Sequence, residues 1–156
     1  MKQSVRLSVA LSALLVAATP ALAEPPSDLR THAQGASKIV VAHVGAVRAS
    51  FRTNKYGDRL IVSRAALIVE ETLKGNRGAS LLLDVEGGTV GNLSLHVSDL
   101  PELKPGERAV FFLDEDAGVH VPHQRGFGIL KLDRLNRIAD SSLTLDDVRA
   151  AVRAGR

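Results

Sequence analysis

The sequence predicts an all-β domain, a small barrel or sandwich of about seven strands with one C-terminal helix. Several segments alternate apolar and polar residues with the period of two that is typical of half-exposed strands. Turn sequences such as Pro105-Gly106 and residues 114–118 separate these segments, and only the end of the chain has helical spacing. Short strands punctuated by turns favour a barrel or sandwich over a helical or α/β fold.

The N-terminus has the three regions of a secretory signal peptide. Lys2 and Arg6 precede the apolar run 7–18, and Ala21-Leu22-Ala23 supplies the small residues of a cleavage site. We therefore expect removal of residues 1–23 and export of a chain that begins at Glu24, to the periplasm or as a secreted protein.

Charge and composition exclude several classes of protein. The full sequence has 20 Lys and Arg against 17 Asp and Glu, and loss of Lys2 and Arg6 leaves 18 against 17, so the net charge falls from +3 to +1. This near-neutrality argues against a nucleic-acid partner, which requires an excess of Lys and Arg. The longest apolar run after Ala23 is residues 65–69, far below the roughly 20 residues of a membrane-spanning helix. The absence of cysteine excludes disulfides, thiolate zinc sites and a thiol nucleophile.

In the first strand of the predicted barrel, simple alternation places apolar and charged side chains on the same face. Residues 24–35 predict an extended lead-in, and the barrel domain is expected at 36–139 with its first strand at 38–51. At period two, Val44 and Arg48 would share one face, although the first side chain favours burial and the second favours water. A bulge near Gly45 would resolve the conflict, because one extra residue moves every later side chain to the other face.

The remaining strands follow the same alternation. They are predicted at 59–73, 80–86, 93–98, 108–113, 119–121 and 126–132, with a further short one at 137–139. We expect Val69, Leu83 and one of Phe111 and Phe112 in the core. Residues 140–156 predict a helix, in which Thr144 and Asp147 form a capping box before an apolar stripe.

Two segments carry a family resemblance. Residues 36–44 read Ala-Ser-Lys-Ile-Val-Val-Ala-His-Val, and a later strand ends in Lys74-Gly75. This pattern resembles the netrin-like domains, which include the tissue inhibitors of metalloproteinases. It is similar, more closely, to uncharacterised exported bacterial proteins that continue with a Gly-Gly loop, here Gly87-Gly88, and a Pro-Gly-Glu-Arg turn, here residues 105–108. The resemblance implies an OB-like closed barrel. It transfers no inhibitor residue, because those inhibitors place an N-terminal cysteine on the protease zinc and this chain has no cysteine.

Histidines and carboxylates offer the candidate chemistry. His120 and His123 are the closest histidine pair, but residues three apart on a strand point to opposite sides, so only a turn at Pro122 could bring them to one metal ion. Asp84 and Glu86 share a strand face about 7 Å apart, a spacing used by inverting glycosidases. The alternation that places them there also predicts a plain water-exposed face.

These observations favour a non-enzymatic exported binding module whose partner is another exported or envelope protein, with no cofactor. The expected contact is the loop 87–92, in which Gly87, Gly88 and Gly91 permit close backbone approach and Val90 is an apolar side chain among turn residues. One alternative is a metal-dependent enzyme or metal-binding protein that uses His96, His120 and His123. A second alternative is a carrier of a small apolar ligand.

Overall fold

A computed structural model of the protein describes residues 27–54 and 56–155. The expected signal peptide lies outside the described residues. Within them, no helix is long and apolar enough to cross a membrane.

The described chain is mostly β-structure between two helices. Helix α1 spans Ser27–Gly35 and helix α2 spans Leu145–Ala154, with a short 3-10 helix at Arg125–Gly128. The strands are β1 (Lys38–Thr53), β2 (Arg59–Lys74), β3 (Ser80–Glu86), β4 (Gly88–Val90), β5 (Leu93–Leu95), β6 (Arg108–Asp116), β7 (Val119–Pro122) and β8 (Ile129–Lys131). The prediction of a β-rich domain with a C-terminal helix is confirmed.

Six strands form one mixed sheet in the order β1-β2-β3-β7-β6-β8, and β1 also pairs with β6. The β3–β7 pairing is parallel and the others are antiparallel. Strands β4 and β5 form a separate hairpin. This hairpin occupies part of the predicted loop 87–92.

The bulge predicted near Gly45 is confirmed. Val44 pairs with Leu67 and the next pair is Val47 with Ala65, so β1 advances one residue more than β2. Before the bulge Val44 points into the core, and after it Arg48 is exposed. The extra residue therefore keeps Val44 and Val47 on the same side of the sheet, in contact with one apolar cluster.

Two apolar clusters stabilise the sheet, one on each face of its central strands. One cluster includes Leu83 and Phe111 and lies between the strands, with Val69 packed against it as a half-buried side chain. The other includes Phe112 and lies between the sheet and both helices. Both phenylalanines are fully buried, although only one was expected in the core. Since successive side chains of β6 face opposite sides, each phenylalanine belongs to a different cluster.

The extended lead-in at residues 24–35 is wrong where the structure describes it, because Ser27–Gly35 is helical. Leu29 and Ala33, four residues apart, are buried on one side of α1. The Lys74 Nζ donates to the carbonyl oxygens of Ala33 at 2.9 Å and Gln34 at 2.8 Å, which satisfies acceptors at the C-terminal end of α1.

Two predicted strand ranges also need correction. Residues 137–139 form only isolated bridges, Leu132 with Ile138 and Arg137 with Thr144. The strand predicted from residue 126 begins at Ile129, because the 3-10 helix occupies the preceding residues. In contrast, α2 has the predicted capping box between Thr144 and Asp147.

Candidate functional site: the hairpin cleft

A cleft of about 350 Å³ lies where the β4–β5 hairpin meets one end of the sheet. One wall is the hairpin, the other is the segment 97–103, and the base comes from β1, β2 and β3. We call this site the hairpin cleft. Its volume is at the lower end of the range for ligand sites, which suits one or two side chains of a partner.

The bulge in β1 supplies part of the base. Val47 and Ala49 line the cleft because the extra residue near Gly45 turns odd-numbered positions inward. Ser63 and Val85, on β2 and β3, complete this part of the lining and are cross-strand partners. The base is therefore largely apolar, and Ser63 is its hydroxyl group.

Gly87 and Gly88 join the hairpin to the base through a conformation that side chains rarely adopt. Their φ angles are +108° and +124°. The Ser63 Oγ donates to the Gly87 carbonyl oxygen at 2.7 Å. A Cβ on Gly88 would overlap with that same Oγ. Glycine is thus required at Gly88 by both backbone conformation and close approach.

Arg125 fixes the opposite wall. Its Nε and Nη2 donate to the two carboxylate oxygens of Asp99 at 2.5 and 3.1 Å, and its Nη1 lies 3.5 Å from Glu86 Oε2. These contacts link the segment 97–103 to the end of β3. The hydrogen bond from Arg125 is the main reason that the pKa of the Asp99 carboxyl is lowered from its ordinary value.

Apolar and acidic groups line the mouth of the cleft together. Leu95, Val97 and Leu100 add to the apolar lining, while Glu86 and Glu102 contribute carboxylates. The Glu102 backbone carbonyl accepts from Lys131 at 3.0 Å, which holds this part of the wall on β8. An apolar side chain with a neighbouring cation matches this combination of groups.

The structure brings some of the predicted contact residues into this cleft and leaves others outside it. Gly87 and Gly88 line the cleft. Val90 is half-buried in β4 opposite Leu93, and Gly91 lies at the hairpin turn, where an added Cβ would meet no atom within 4 Å. Sequence reasoning missed the segment 97–103, because nothing local in it indicates that it faces the hairpin.

The three histidines that the sequence offered as metal ligands do not lie together in the structure. His96 lines the hairpin cleft, His120 lies on β7 opposite Leu83 of β3, and His123 follows β7. Among the described residues, no three His, Cys, Asp or Glu side chains are grouped to hold a metal ion. Nothing in the structure therefore supports a metal site at His120 and His123.

His123 instead contacts a histidine that sequence reasoning did not single out. Its ring lies edge-on to His32 of α1 with centroids 6.3 Å apart, and its Nδ1 lies 2.7 Å from Asp114 Oδ2. His32 stacks on Phe127 with centroids 5.6 Å apart. His32 Nδ1 and His123 Nε2 are buried without a hydrogen-bond partner among the described residues. Burial is the main cause that lowers the pKa of His32, and His123 adds to it while Asp28 opposes it.

The carboxylate pair of β3 does not form a water-exposed acid and base. Asp84 is buried, with 9% of its surface exposed, and both of its carboxylate oxygens accept hydrogen bonds from Arg64. Glu86 is exposed. The water-exposed assignment is therefore wrong for Asp84, because the guanidinium of the neighbouring strand covers it.

The facing of His43, which the sequence left open, is outward. Its side chain is 45% exposed and its Nε2 contacts Glu70 Oε1. Arg108 Nε donates to the other oxygen of Glu70 at 2.8 Å. His43 thus belongs to a network of polar side chains on the surface across β1, β2 and β6.

Comparison with known proteins adds no relative to these observations. A scan against protein-family models finds no match, and no curated protein matches the sequence.

Proposed function

We propose that this protein is an exported, non-enzymatic binding module that holds a segment of another exported or envelope protein in the hairpin cleft. The observation that carries the proposal is the cleft itself, built from Gly87-Gly88, the bulge in β1 and the Arg125 link. Each of these features restrains the cleft walls, and a pre-formed cleft reduces the ordering cost of binding.

The lining supports one class of partner segment. Leu95, Val97 and Leu100 favour an apolar side chain, and the carboxylates of Glu86 and Glu102 favour a Lys or Arg beside it. Arg125 already contacts Glu86, which leaves Glu102 as the principal acidic contact for the partner. The proposed ligand is therefore a protein segment with an apolar residue next to a basic one.

We also propose that the sheet closes as an OB-like barrel, in line with the netrin-like resemblance. The pairings run from β1 through β2, β3, β7 and β6 and return to β1. A closed ring supports the cleft, because it gives the hairpin and the segment 97–103 a common rigid base.

The N-terminus of the mature protein tests whether the protein is exported. If the signal peptide is cleaved after Ala23, the intact mass of the protein from the envelope or medium will correspond to a chain that begins at Glu24. Retention of Lys2 in a cytosolic protein would contradict export and, with it, an exported partner.

Site-specific photo-cross-linking in cells tests the cleft. A benzoylphenylalanine at Ser94, which lines the cleft, should form an adduct with a partner protein, while the same probe at the exposed Glu115 on β6 should not. The variant Glu102→Gln should reduce the Ser94 adduct, whereas Glu115→Gln should leave it unchanged. Absence of an adduct, or equal adducts from both positions, would refute the cleft as the binding site.

A further inference from the structure

The half of the β1–β2 pair beyond the bulge concentrates positive charge. Residues 45–69 contain five basic side chains and one acidic side chain, a net charge of +4. Since residues 24–156 as a whole carry 18 basic against 17 acidic side chains, the rest of that chain has a net charge of −3. The molecule therefore has a strongly asymmetric charge distribution, which orients it in an external field.

Two of these arginines share the outer face of the sheet. Arg48 pairs across the strands with Arg64, and Arg52 pairs with Leu60, so all four side chains lie on one side. Arg48 and Arg52 are exposed and make no salt bridge within the part of the chain that the structure describes. At four residues apart on a strand they are separated by about 13 Å.

Exposed apolar side chains continue the same face. Ala66 pairs with Leu82 on β3, and Ile68 follows on β2 with the same parity as Arg64. Ile68 is 58% exposed and Leu82 is 48% exposed. The face made by Arg48, Arg52, Ile68 and Leu82 is here called the arginine face.

Two of the acidic groups near the arginine face are paired with cations, and a third, Asp58, is hydrogen-bonded to a neutral amide. Asp84 accepts two hydrogen bonds from Arg64, and Glu86 lies 3.5 Å from Arg125. At the turn of the β1–β2 pair, the Asp58 carboxylate accepts from Asn54 Nδ2 at 3.0 Å, beside a Tyr56 that is 77% exposed. The arginine face therefore presents cations and apolar side chains together.

We propose that the arginine face docks on an anionic bilayer surface. Anionic lipid headgroups attract the arginines electrostatically, and the boundary between headgroups and acyl chains accepts Ile68, Leu82 and Tyr56. A bilayer therefore binds both the cationic and the apolar side chains of this surface. A nucleic acid would use the arginines and the exposed ring of Tyr56, but it would leave the apolar side chains of Ile68 and Leu82 without a partner. This proposal is independent of the hairpin cleft and adds a membrane surface to the protein partner.

Vesicle co-sedimentation of the purified protein tests the proposal. The measured quantity is the difference in binding between phosphatidylcholine vesicles that contain phosphatidylglycerol and vesicles of phosphatidylcholine alone. This difference isolates the effect of the lipid charge on binding. We expect it to be large at low salt and to fall as salt is raised.

The double variant Arg48→Gln/Arg52→Gln should weaken binding to the anionic vesicles about 25-fold, since each basic side chain near such a surface strengthens binding roughly fivefold. The matched control, Arg134→Gln/Arg153→Gln, removes two exposed arginines elsewhere and should bind like the unmodified protein. Ile68→Ser/Leu82→Ser should also weaken binding while the unfolding midpoint is retained.

Three results would overturn the proposal. The first is equal binding to neutral and anionic vesicles, and the second is equal loss in the arginine-face and control variants. The third is binding to a duplex oligonucleotide that depends on Arg48 and Arg52 without any binding to vesicles, which would assign the face to nucleic acid.

Discussion

Arg64 and Asp84 form a two-point ion pair across β2 and β3. The Arg64 Nε lies 2.6 Å from Asp84 Oδ1, and its Nη2 lies 2.7 Å from Oδ2. The two residues are direct cross-strand partners, so the sheet register itself sets this geometry. Two donors of one guanidinium meet the two oxygens of one carboxylate, which is the arrangement in which these groups interact best.

Loss of this pair should destabilise the fold. Asp84→Ala should lower the free energy of unfolding by about 1–2 kcal/mol, because it removes a buried carboxylate that accepts two charge-assisted hydrogen bonds from Arg64. The matched variant Glu86→Ala, on the same face but exposed, should have a smaller effect. Urea unfolding midpoints measure both. If Glu86→Ala is the more damaging change, the pair does not stabilise β2 on β3.

The two adjacent leucines of β3 should differ sharply in their contribution to the free energy of unfolding. Leu83 is fully buried between the strands, whereas Leu82 is 48% exposed on the arginine face. Leu83→Ala should cost about 2–5 kcal/mol through lost burial and the cavity left behind. Leu82→Ala should stay within about 0.5 kcal/mol. Denaturant midpoints that rank the two variants the other way would place β3 one residue out of register.

The features predicted correctly from the sequence have local causes. The bulge follows from the conflict between Val44 and Arg48 on one strand, which only an extra residue resolves. The capping box follows from the side chains of Thr144 and Asp147, three residues apart at the start of α2. In both cases the residues that determine the local structure lie within a few positions of one another in the sequence.

The features that the sequence did not reveal depend on contacts between distant residues. Asp84 alternates like an exposed residue, and only its pairing with Arg64, twenty positions earlier, buries it. Helix α1 follows two prolines and is short, so its packing against α2 in one apolar cluster, through Leu29 and Ala33, matters more than its helix propensity. His32 and His123 are far apart along the chain, and no spacing rule connects them.

The half-buried His32 should make the protein less stable in mild acid. Burial lowers the pKa of His32 below 6.5, so the folded state prefers the neutral ring while the unfolded chain takes up a proton as the pH falls through 6.5. Stability from this group is therefore complete above pH 6.5 and declines as the pH falls, until the folded protein is itself protonated. Urea midpoints between about pH 7.5 and 5.5, above the range of ordinary carboxyl groups, should show this decline.

The variant His32→Phe isolates this effect. Phenylalanine keeps the ring that stacks on Phe127 and removes the unpaired Nδ1 and the titrating group. We expect a smaller loss of stability between the two pH values than in the unmodified protein. An unchanged pH dependence would mean that a group other than His32 causes the decline.

Two glycines of the hairpin should respond differently to alanine. Gly91→Ala should cost only about 1 kcal/mol, because its φ of +62° is a left-handed conformation that alanine can adopt and its surroundings are open. Gly88→Ala should cost about 3 kcal/mol or more, because a φ of +124° is strained for alanine and the new methyl would meet Ser63 Oγ and Ala49 Cβ. Unfolding midpoints measure stability, and the Ser94 photo-adduct measures the cleft. We expect the adduct to survive Gly91→Ala and to be lost in Gly88→Ala, since the clash displaces the hairpin from the cleft base. Retention of the adduct in a stable Gly88→Ala protein would mean that the partner does not depend on this glycine contact.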